Sequence, residues 1–419
     1  MKTRMRRIEI DRREFIEKLG IGTLGLGAAG LAAAGSTASA AGYPASETLR
    51  IGLIGTGGRC LHALLPSVLE VPGVRITAVC DVWDRHLEEA KKKADPDAFA
   101  TRDHRALLDR RDVDAVIIAT PDHWHVPATV DACAAGKDVY VEKPLTHDLA
   151  EGRKVIDAQN RSGRIVQVGM QQRSMPQFMK GFEIIRSGRL GKVHRVHLSW
   201  NRNANVGQRR PLGIDPKTVD WKRFLGNAKD QPFDDYRMRN WRWIWDFGGG
   251  ILTDLMVHYI DVVHWYLDLD HPATAAAQGD HFQTKGSWET PDTIETLLSY
   301  PEKQLHVFFE GTFFNARNAA RLEFMGTEAT MYLDRGRLEV HPEKAKGGEY
   351  YEFVPGKGGR GDDFDPGIKD GTLHLAHWVE CVRAREKPNA PAEAGVSACN
   401  PAHLGNKAYL SGQVARWEG

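Results

Sequence analysis

A chain of 419 residues is longer than one hydrophobic core usually organises, and its 42% apolar content supplies material for two domains. Its 56 Lys and Arg nearly cancel 55 Asp and Glu, with no long block of either sign, which argues against nucleic acid or an anionic membrane surface as partner and for a small molecule. The five cysteines, Cys60, Cys80, Cys133, Cys381 and Cys399, show neither CxxC spacing nor a Cys/His cluster, which speaks against a zinc site or a disulfide framework; Cys80 and Cys133 lie in apolar runs and read as buried small hydrophobes.

The first forty residues read as an address. Arg12-Arg13-Glu14-Phe15-Ile16-Glu17-Lys18 resembles the twin-arginine export consensus, followed by a Gly- and Ala-rich stretch from Leu19 to Ala34 and a small-residue site at Ala38-Ser39-Ala40, so cleavage before Ala41 is expected. An ordinary N-terminal helix is the alternative, but Gly20, Gly22, Gly25, Gly27 and Gly30 would each cost about 1 kcal/mol in a helix interior. The apolar run falls short of the roughly 20 residues of a membrane span, and no later stretch approaches that length. Export to the periplasm without stable membrane insertion is therefore expected, and removal of residues 1–40 would take the net charge from +1 to −2.

From residue 48 to 172 the pattern is that of a parallel α/β sheet. The apolar run from Leu49 breaks at Gly55-Thr56-Gly57-Gly58-Arg59 and leads into a helix over Leu61 to Leu69, the strand–turn–helix of a dinucleotide fingerprint. Gly55 permits the tight turn, Gly57 lets the backbone approach a pyrophosphate, and the N–H groups of the new helix face that anion. Cys60 stands where the fingerprint wants Gly or Ala. A second run, Val74 to Cys80, ends in Asp81 at the distance expected of a ribose-binding carboxylate, which favours NAD over NADP, although Arg85 nearby could hold a 2′-phosphate; capping of a helix starting at Asp84 is the other use of Asp81. Further β-α units follow: a strand at Ala115 to Ala119 with Thr120-Pro121-Asp122-His123-Trp124-His125 after it, a strand at Asp138 to Glu142 ending in Lys143-Pro144, a helix from Leu149 to Gln159 and a strand from Ile165 to Val168. Strand ends at Gly55, Asp81, Thr120 and Glu142 are predicted to share the ligand-binding edge.

Glu142-Lys143-Pro144, with Thr120 to His125, resembles the Gfo/Idh/MocA family, and a second signature appears in Gly248-Gly249-Gly250 followed by Asp254 and His258. The resemblance spans roughly Leu49 to Gly419. It implies an NAD(P)-dependent oxidoreductase acting on a sugar, polyol or glycoside CH–OH group, and a cofactor-binding set of Gly55, Thr56, Gly57, Gly58, Arg59, Asp81, Thr120, Pro121, Asp122, Trp124, His125, Glu142, Lys143 and Gln171. It further implies that Lys143 lies beside the reacting hydroxyl and that Asp254 orients His258 or holds a neighbouring hydroxyl. Residue chemistry agrees: Asp254, His258 and Asp261 are spaced i, i+4 and i+7 on one helical face, turned to solvent or to a cleft, and a histidine can accept the alcohol proton near neutral pH.

Residues 173–419 read as an α+β domain with an open, mostly antiparallel sheet. Expected elements are a helix from Gln177 to Ser187, strands at Lys192 to Trp200, Thr293 to Ser299, Gln304 to Glu310, Ala319 to Met325 and Ala329 to Asp334, a long loop from Lys344 to Asp370, and helices from His374 to Arg385 and Pro401 to Val414. A bare sheet face would make a homodimer or homotetramer interface. Tyr236, Arg237, Trp241 and Arg242, with Arg173, are the candidate substrate contacts, since interleaved aromatics and arginines suit sugar hydroxyls and C–H faces; a packing cluster beneath the helix is the alternative.

Export creates a constraint, because the periplasm holds no soluble nicotinamide pool. A folded protein exported with NAD bound would recycle it, by coupling two sugars or by oxidising and re-reducing one molecule around an elimination. Elimination would make a glycoside-cleaving enzyme, which needs a further acid/base group such as His194, His197 or Tyr236. A non-catalytic NAD-binding sensor is the third reading, against which Lys143, Asp254 and His258 stand.

Overall fold

The computed structural model describes residues 48–204, 208–354 and 370–418. The expected export segment lies outside them. The first layer is a six-stranded parallel sheet of β1 (Leu49–Ile54), β2 (Val74–Cys80), β3 (Phe99–Thr101), β4 (Ala115–Ile118), β5 (Asp138–Val141) and β6 (Val166–Val168), in the order β3-β2-β1-β4-β5-β6. Strands β4 and β5 are buried at every position, as helices on both faces require, which is why, apart from Asp138 at the start of β5, they read as apolar runs. The order reverses between β1 and β4, and the crevice there opens at the carboxyl ends of the strands.

The second layer is a nine-stranded sheet of β7 (Val193–Asn201), β8 (Thr274–Asp280), β9 (Thr293–Tyr300), β10 (Leu305–Thr312), β11 (Ala320–Gly326), β12 (Ala329–Leu333), β13 (Leu338–Pro342), β14 (Tyr351–Phe353) and β15 (Ala415–Arg416), ordered β14-β13-β12-β11-β7-β10-β9-β8-β15. The sheet is mostly antiparallel, as expected; β7 pairs antiparallel with β11 but parallel with β10, so it is mixed at its centre. Alternation is clear in β9, where Ile294, Thr296, Leu298 and Tyr300 are buried while Glu295 and Leu297 are exposed. The buried face packs on the helices Pro176–Arg186 and Val257–Leu267, with Trp200, Phe178, Tyr259 and Tyr266 between them.

Two C-terminal helices tie the layers together. Helix Asp370–Ala384 sends Leu375, Trp378, Val379 and Val382 into the same core cluster as Ile51, Leu53 and Ile76, so the chain beyond residue 173 returns to complete the parallel-sheet half. The last helix runs Ala392–Ser411 rather than from Pro401; that proline sits inside it. The expected 344–370 loop contains β14, and residues 355–369 are outside the described set.

Candidate active site

The site begins at the glycine turn. Gly55 has φ +80°, and a Cβ there would meet the Thr120 amide nitrogen at 2.7 Å, so the ends of β1 and β4 approach as only glycine allows. Thr56 does not reach the cleft surface; it is buried and its amide donates to Asp81 Oδ2 at 2.7 Å. The Trp83 amide donates to Asp81 Oδ1 at 2.9 Å, so Asp81 joins the glycine turn to the end of β2, and the helix Asp84–Lys93 starts without a side-chain cap. Beyond the turn the protein leaves room. A Cβ on Gly57 would find His86 Cε1 no nearer than 3.6 Å, and one on Gly58 would find His62 Cδ2 at 3.8 Å. Such a Cβ would project into the cleft in front of amides that have no acceptor within the helix, and this cradle fits a dinucleotide pyrophosphate.

The cleft has a volume of about 690 Å³ and is lined by Gly55, Gly57, Gly58, Arg59, Asp81, Thr120, Pro121, Trp124, His125, Glu142, Lys143 and Gln171 from the expected cofactor set. Arg59 is ion-paired with buried Glu142 at 2.7 Å, and the Gln171 amide lies beside them, its nitrogen 3.0 Å from the Gly169 carbonyl. His125 braces two loops, with Nδ1 2.6 Å from the Pro144 carbonyl and Nε2 3.0 Å from that of Thr120. Trp124 Nε1 donates to the Phe224 carbonyl at 3.0 Å. Asp122 lies below the surface, where burial pushes its carboxyl well up against the pull of Lys143.

At the inner end Lys143 Nζ donates to the Asp254 carbonyl oxygen (2.7 Å) and to its Oδ1 (3.0 Å). Two of three ammonium hydrogens are thereby used and one remains. Burial pushes the Asp254 carboxyl up, but Lys143 and Arg242 overcome that and hold it below the usual carboxylate range. Asp254 sits in a π-helical turn, Leu252–Met256, which hands over to the α-helix at Val257, and such wide turns are frequent at functional sites. The glycines before it have a packing reason: a Cβ on Gly248 would lie 2.9 Å from the Arg242 Cα, and Gly250, at φ +68°, approaches Thr290. His258 follows, 8% exposed, its ring stacked on Trp200 with centroids 5.1 Å apart at 24°. Burial drives its pKa well down, and the charges of Lys143, Arg335, Arg59 and Arg202 push the same way, so the imidazole is neutral at pH 7. Its Nδ1 is buried without a hydrogen-bond partner among the described residues.

Several expected contacts lie elsewhere. Asp254 is engaged by Lys143 and Arg242 (3.3 Å) and makes no hydrogen bond to His258. Asp261 is fully buried and belongs to the core, where Arg173 holds it at 2.7 Å; neither lines the cleft. The π-turn contains Asp254 and precedes His258, so it shifts Asp254 relative to the helix that carries His258 and Asp261. Tyr236 is buried under Arg209, and Arg237 is taken by Asp246 (2.8 Å) and Glu289, so both serve packing. Trp241 and Arg242 do line the cleft, the guanidinium 4.2 Å over the indole. Sequence reasoning missed Trp200, Arg202, Phe313 and Arg335, which wall the inner end together with Trp243 of the aromatic run. Arg202, directly after an alternating strand, and Arg335, in the Asp334-Arg335-Gly336-Arg337 turn, carried a faint signal as residues at strand ends.

A parallel sheet with a glycine cradle at its switch point, opening on a buried Lys–Asp pair and a neutral histidine, defines an NAD(P)-dependent oxidoreductase. The chain belongs to the GFO/IDH/MocA family: its oxidoreductase domain with an NAD-binding Rossmann fold matches residues 49–170, and its C-terminal domain matches residues 223–332. An inositol 2-dehydrogenase of Rubrobacter xylanophilus is 33% identical over 38% of this chain; the chain spans just under half of that relative, at 46%. Inositol 2-dehydrogenase 2 of Saccharopolyspora erythraea is 26% identical over 88% of this chain and 95% of its own length. Among solved structures, levoglucosan dehydrogenase in complex with NADH and levoglucosan superposes with a TM-score of 0.69 at 17% identity, covering 89% of this chain and all of that one. Aldose-aldose oxidoreductase of Caulobacter crescentus, complexed with glycerol, gives 0.66 at 19%, covering 88% of this chain and all of that one. At these identities the two structures establish the fold.

Proposed function

We propose that this chain is an exported NAD-dependent oxidoreductase that oxidises a CH–OH carbon of a sugar, polyol or glycoside, with its cofactor held tightly and recycled in place. The observation that carries the reading is the Lys143–Asp254 pair, 3.0 Å apart, beside neutral His258 in a cleft that also contains the glycine cradle. Lys143 offers its remaining N–H to the substrate oxygen, and His258 accepts the hydroxyl proton. The cations that depress the basicity of His258 act equally on a hydroxyl bound among them and stabilise its alkoxide, so donor and acceptor stay matched. When bound, NAD supplies the hydride acceptor. Gly55, Gly57 and Gly58 would hold its pyrophosphate, and Asp81 its ribose in preference to a 2′-phosphorylated one.

Relatives named for inositol, levoglucosan and aldoses support a polyhydroxylated substrate, and the aldose pair gives precedent in name for coupling two sugars. The cleavage reading loses its candidates, because none of His194, His197 and Tyr236 lines the cleft. The bare face of the nine-stranded sheet, with Leu297 45% exposed, supports a homodimer or homotetramer. The test is mass spectrometry and absorbance on denatured protein purified from the periplasm: one NAD per chain and an N-terminus at Ala41 are expected. Protein that retains no NAD and binds none when it is added would overturn the reading.

A further inference from the structure

The second half of the chain also reaches the cofactor end of the cleft. Between β7 and the turn that carries Asp254, residues 215–243 make an excursion onto the parallel-sheet half and dock at the carboxyl end of β2. Val219 forms an antiparallel bridge with Trp83, and the Asp220 amide donates to the Val82 carbonyl at 2.8 Å. The loop after β4 is gripped as well, because the Phe224 carbonyl accepts from Trp124 Nε1 at 3.0 Å and lies 2.8 Å from His123 Nε2. Arg223 pairs with Asp103 at 3.1 Å. The root of the excursion stays in the second half, where Glu289 holds Arg237 and Trp243 stacks on Trp288 with centroids 4.2 Å apart.

These contacts enclose a small hydrophobic core of their own, in which Val219, Phe224, Leu225 and Met238 share a cluster with Trp83 of the first half. The halves do not need it to stay joined, since helix Asp370–Ala384 already packs Leu375 and Trp378 into the core of the parallel sheet. What the excursion adds is a wall at one place, because Arg223, Met238 and Arg239 line the cleft. Arg239 is exposed and lies over the Trp83 ring, 5.6 Å from its centroid. Its Nη1 is 3.5 Å from Nε2 of His86, whose Nδ1 is 3.6 Å from Asp81 Oδ2. A carboxylate at the end of the second strand is where a dinucleotide places its adenosine ribose, so the wall stands on the adenosine side. A thioether and a flat guanidinium suit that group: the one packs on an aromatic face, the other stacks on a base or donates to ribose hydroxyls.

We propose that residues 215–243 are a clasp, supplied by the substrate half, that closes over the adenosine of the cofactor and retains it, with Met238 and Arg239 as its contacts on that group. This rests on the oxidoreductase reading above and names the device that holds its cofactor in place. The test uses the full chain. Protein loaded with NADH is mixed with excess NAD, and the fluorescence decay gives the rate at which NADH leaves. ADP-ribose and nicotinamide mononucleotide, which carry the two ends of the dinucleotide separately, are titrated calorimetrically alongside. Arg239→Ala is expected to speed NADH release by about tenfold and to weaken ADP-ribose by a similar factor, as loss of a contact by a charged donor does, while nicotinamide mononucleotide binds as before. Arg239→Lys keeps the charge without the flat fork and is expected to recover part of the loss.

Amide hydrogen exchange on the unaltered chain gives a second measurement that no folding defect can spoil. ADP-ribose is expected to slow exchange across residues 219–240, including the Asp220 amide, and nicotinamide mononucleotide is expected to leave that segment unprotected. Unchanged NADH release from folded Arg239→Ala, equal loss of both half-ligands, or exchange in 219–240 that ADP-ribose does not slow would each overturn the proposal. Those results leave the oxidoreductase reading standing, because NADH still binds. A chain that binds neither NADH nor ADP-ribose overturns both.

Discussion

Arginine is used in opposite ways at the two ends of the cleft. At the cofactor end four guanidiniums are locked by carboxylates of the protein: Arg59 by Glu142, Arg102 by Asp84, Arg105 by Asp131 and Arg223 by Asp103. There the anion is left to backbone amides, and the ion pairs act as a frame that fixes loop positions. At the substrate end Arg202 forms no ion pair with the described residues, and Asp254 is divided between Lys143 and Arg242. A pre-neutralised frame suits a ligand of fixed shape, whereas cations gathered around one carboxylate suit a place where negative charge develops on a reacting oxygen.

The two ends work together only while the halves stay joined, and neutral histidines hold the seam. His374 contacts the Val168 carbonyl and Ser174, His403 contacts Thr146, and His123 contacts the Phe224 carbonyl, while His264, inside the second half, lies between Ser397 and Tyr300. Burial pulls their pKa values from 6.5 to about 3 for His264 and His374 and about 4 for His123 and His403. Below pH 6.5 the unfolded chain binds protons that the folded chain refuses, so stability is complete above that pH and is lost on acidification toward pH 4. Each group contributes up to about 1.4 kcal/mol per pH unit, so the four together weaken the fold by on the order of 5 kcal/mol between pH 7 and 5.5. Urea midpoints measured across that range are expected to fall steeply; a flat profile would show that these histidines are protonated in the native state.

Lys143→Met tests whether the substrate end depends on its shared carboxylate. It removes the donor to the substrate oxygen and leaves Asp254 with Arg242 alone, and a fall in kcat of about a thousandfold is expected, with NAD affinity nearly unchanged. Equal loss of kcat and of NAD binding would instead move Lys143 to the cofactor end. His258→Ala is expected to behave similarly, and unchanged turnover would exclude it as the base. Arg173→Met sharpens the contrast within the second half. Arg173 is fully answered by Asp261, so its loss strands a buried carboxylate and is expected to cost about 3 kcal/mol of stability without raising KM. A raised KM at unchanged stability would return it to the substrate.

How far this architecture was legible differs along the chain for physical reasons. The parallel half announced itself because β4 is buried and apolar throughout and β1, β2 and β5 are mostly so, and because Gly55 and Asp81 answer local backbone demands that spacing reveals. β3, of three residues, is too short to carry a period, and β8, with Ala275, Ala276, Ala277 and Gly279, has no branched residue after Thr274 by which a strand is recognised. Pro401 read as a helix start because proline favours the first turn, yet packing retains it mid-helix. Lys143, Asp254 and His258 were visible as motifs. The pairing of Arg173 with Asp261 and the meeting of Arg202 with Arg335 were not, since each joins residues far apart in the chain through the mixed sheet and the helices on it.

The smallest effect tests the cofactor end itself. Asp81 accepts from the Thr56 and Trp83 amides, so its carboxylate both shapes the glycine turn and sets the charge that a ribose meets. Arg85 and Arg239 both lie over the Trp83 ring, 5.6 Å from its centroid, and could answer a 2′-phosphate once that charge is gone. Asp81→Ala is expected to shift the NAD/NADP affinity ratio toward NADP by about tenfold, but it also unties the turn. Asp81→Asn separates the two roles, since an amide oxygen still accepts from Thr56 while the repulsion is removed. A similar shift in both variants, read by fluorescence titration of each dinucleotide, assigns the preference to charge. A shift in Asp81→Ala alone assigns it to the shape of the turn, and the cofactor end would then select by frame at every point.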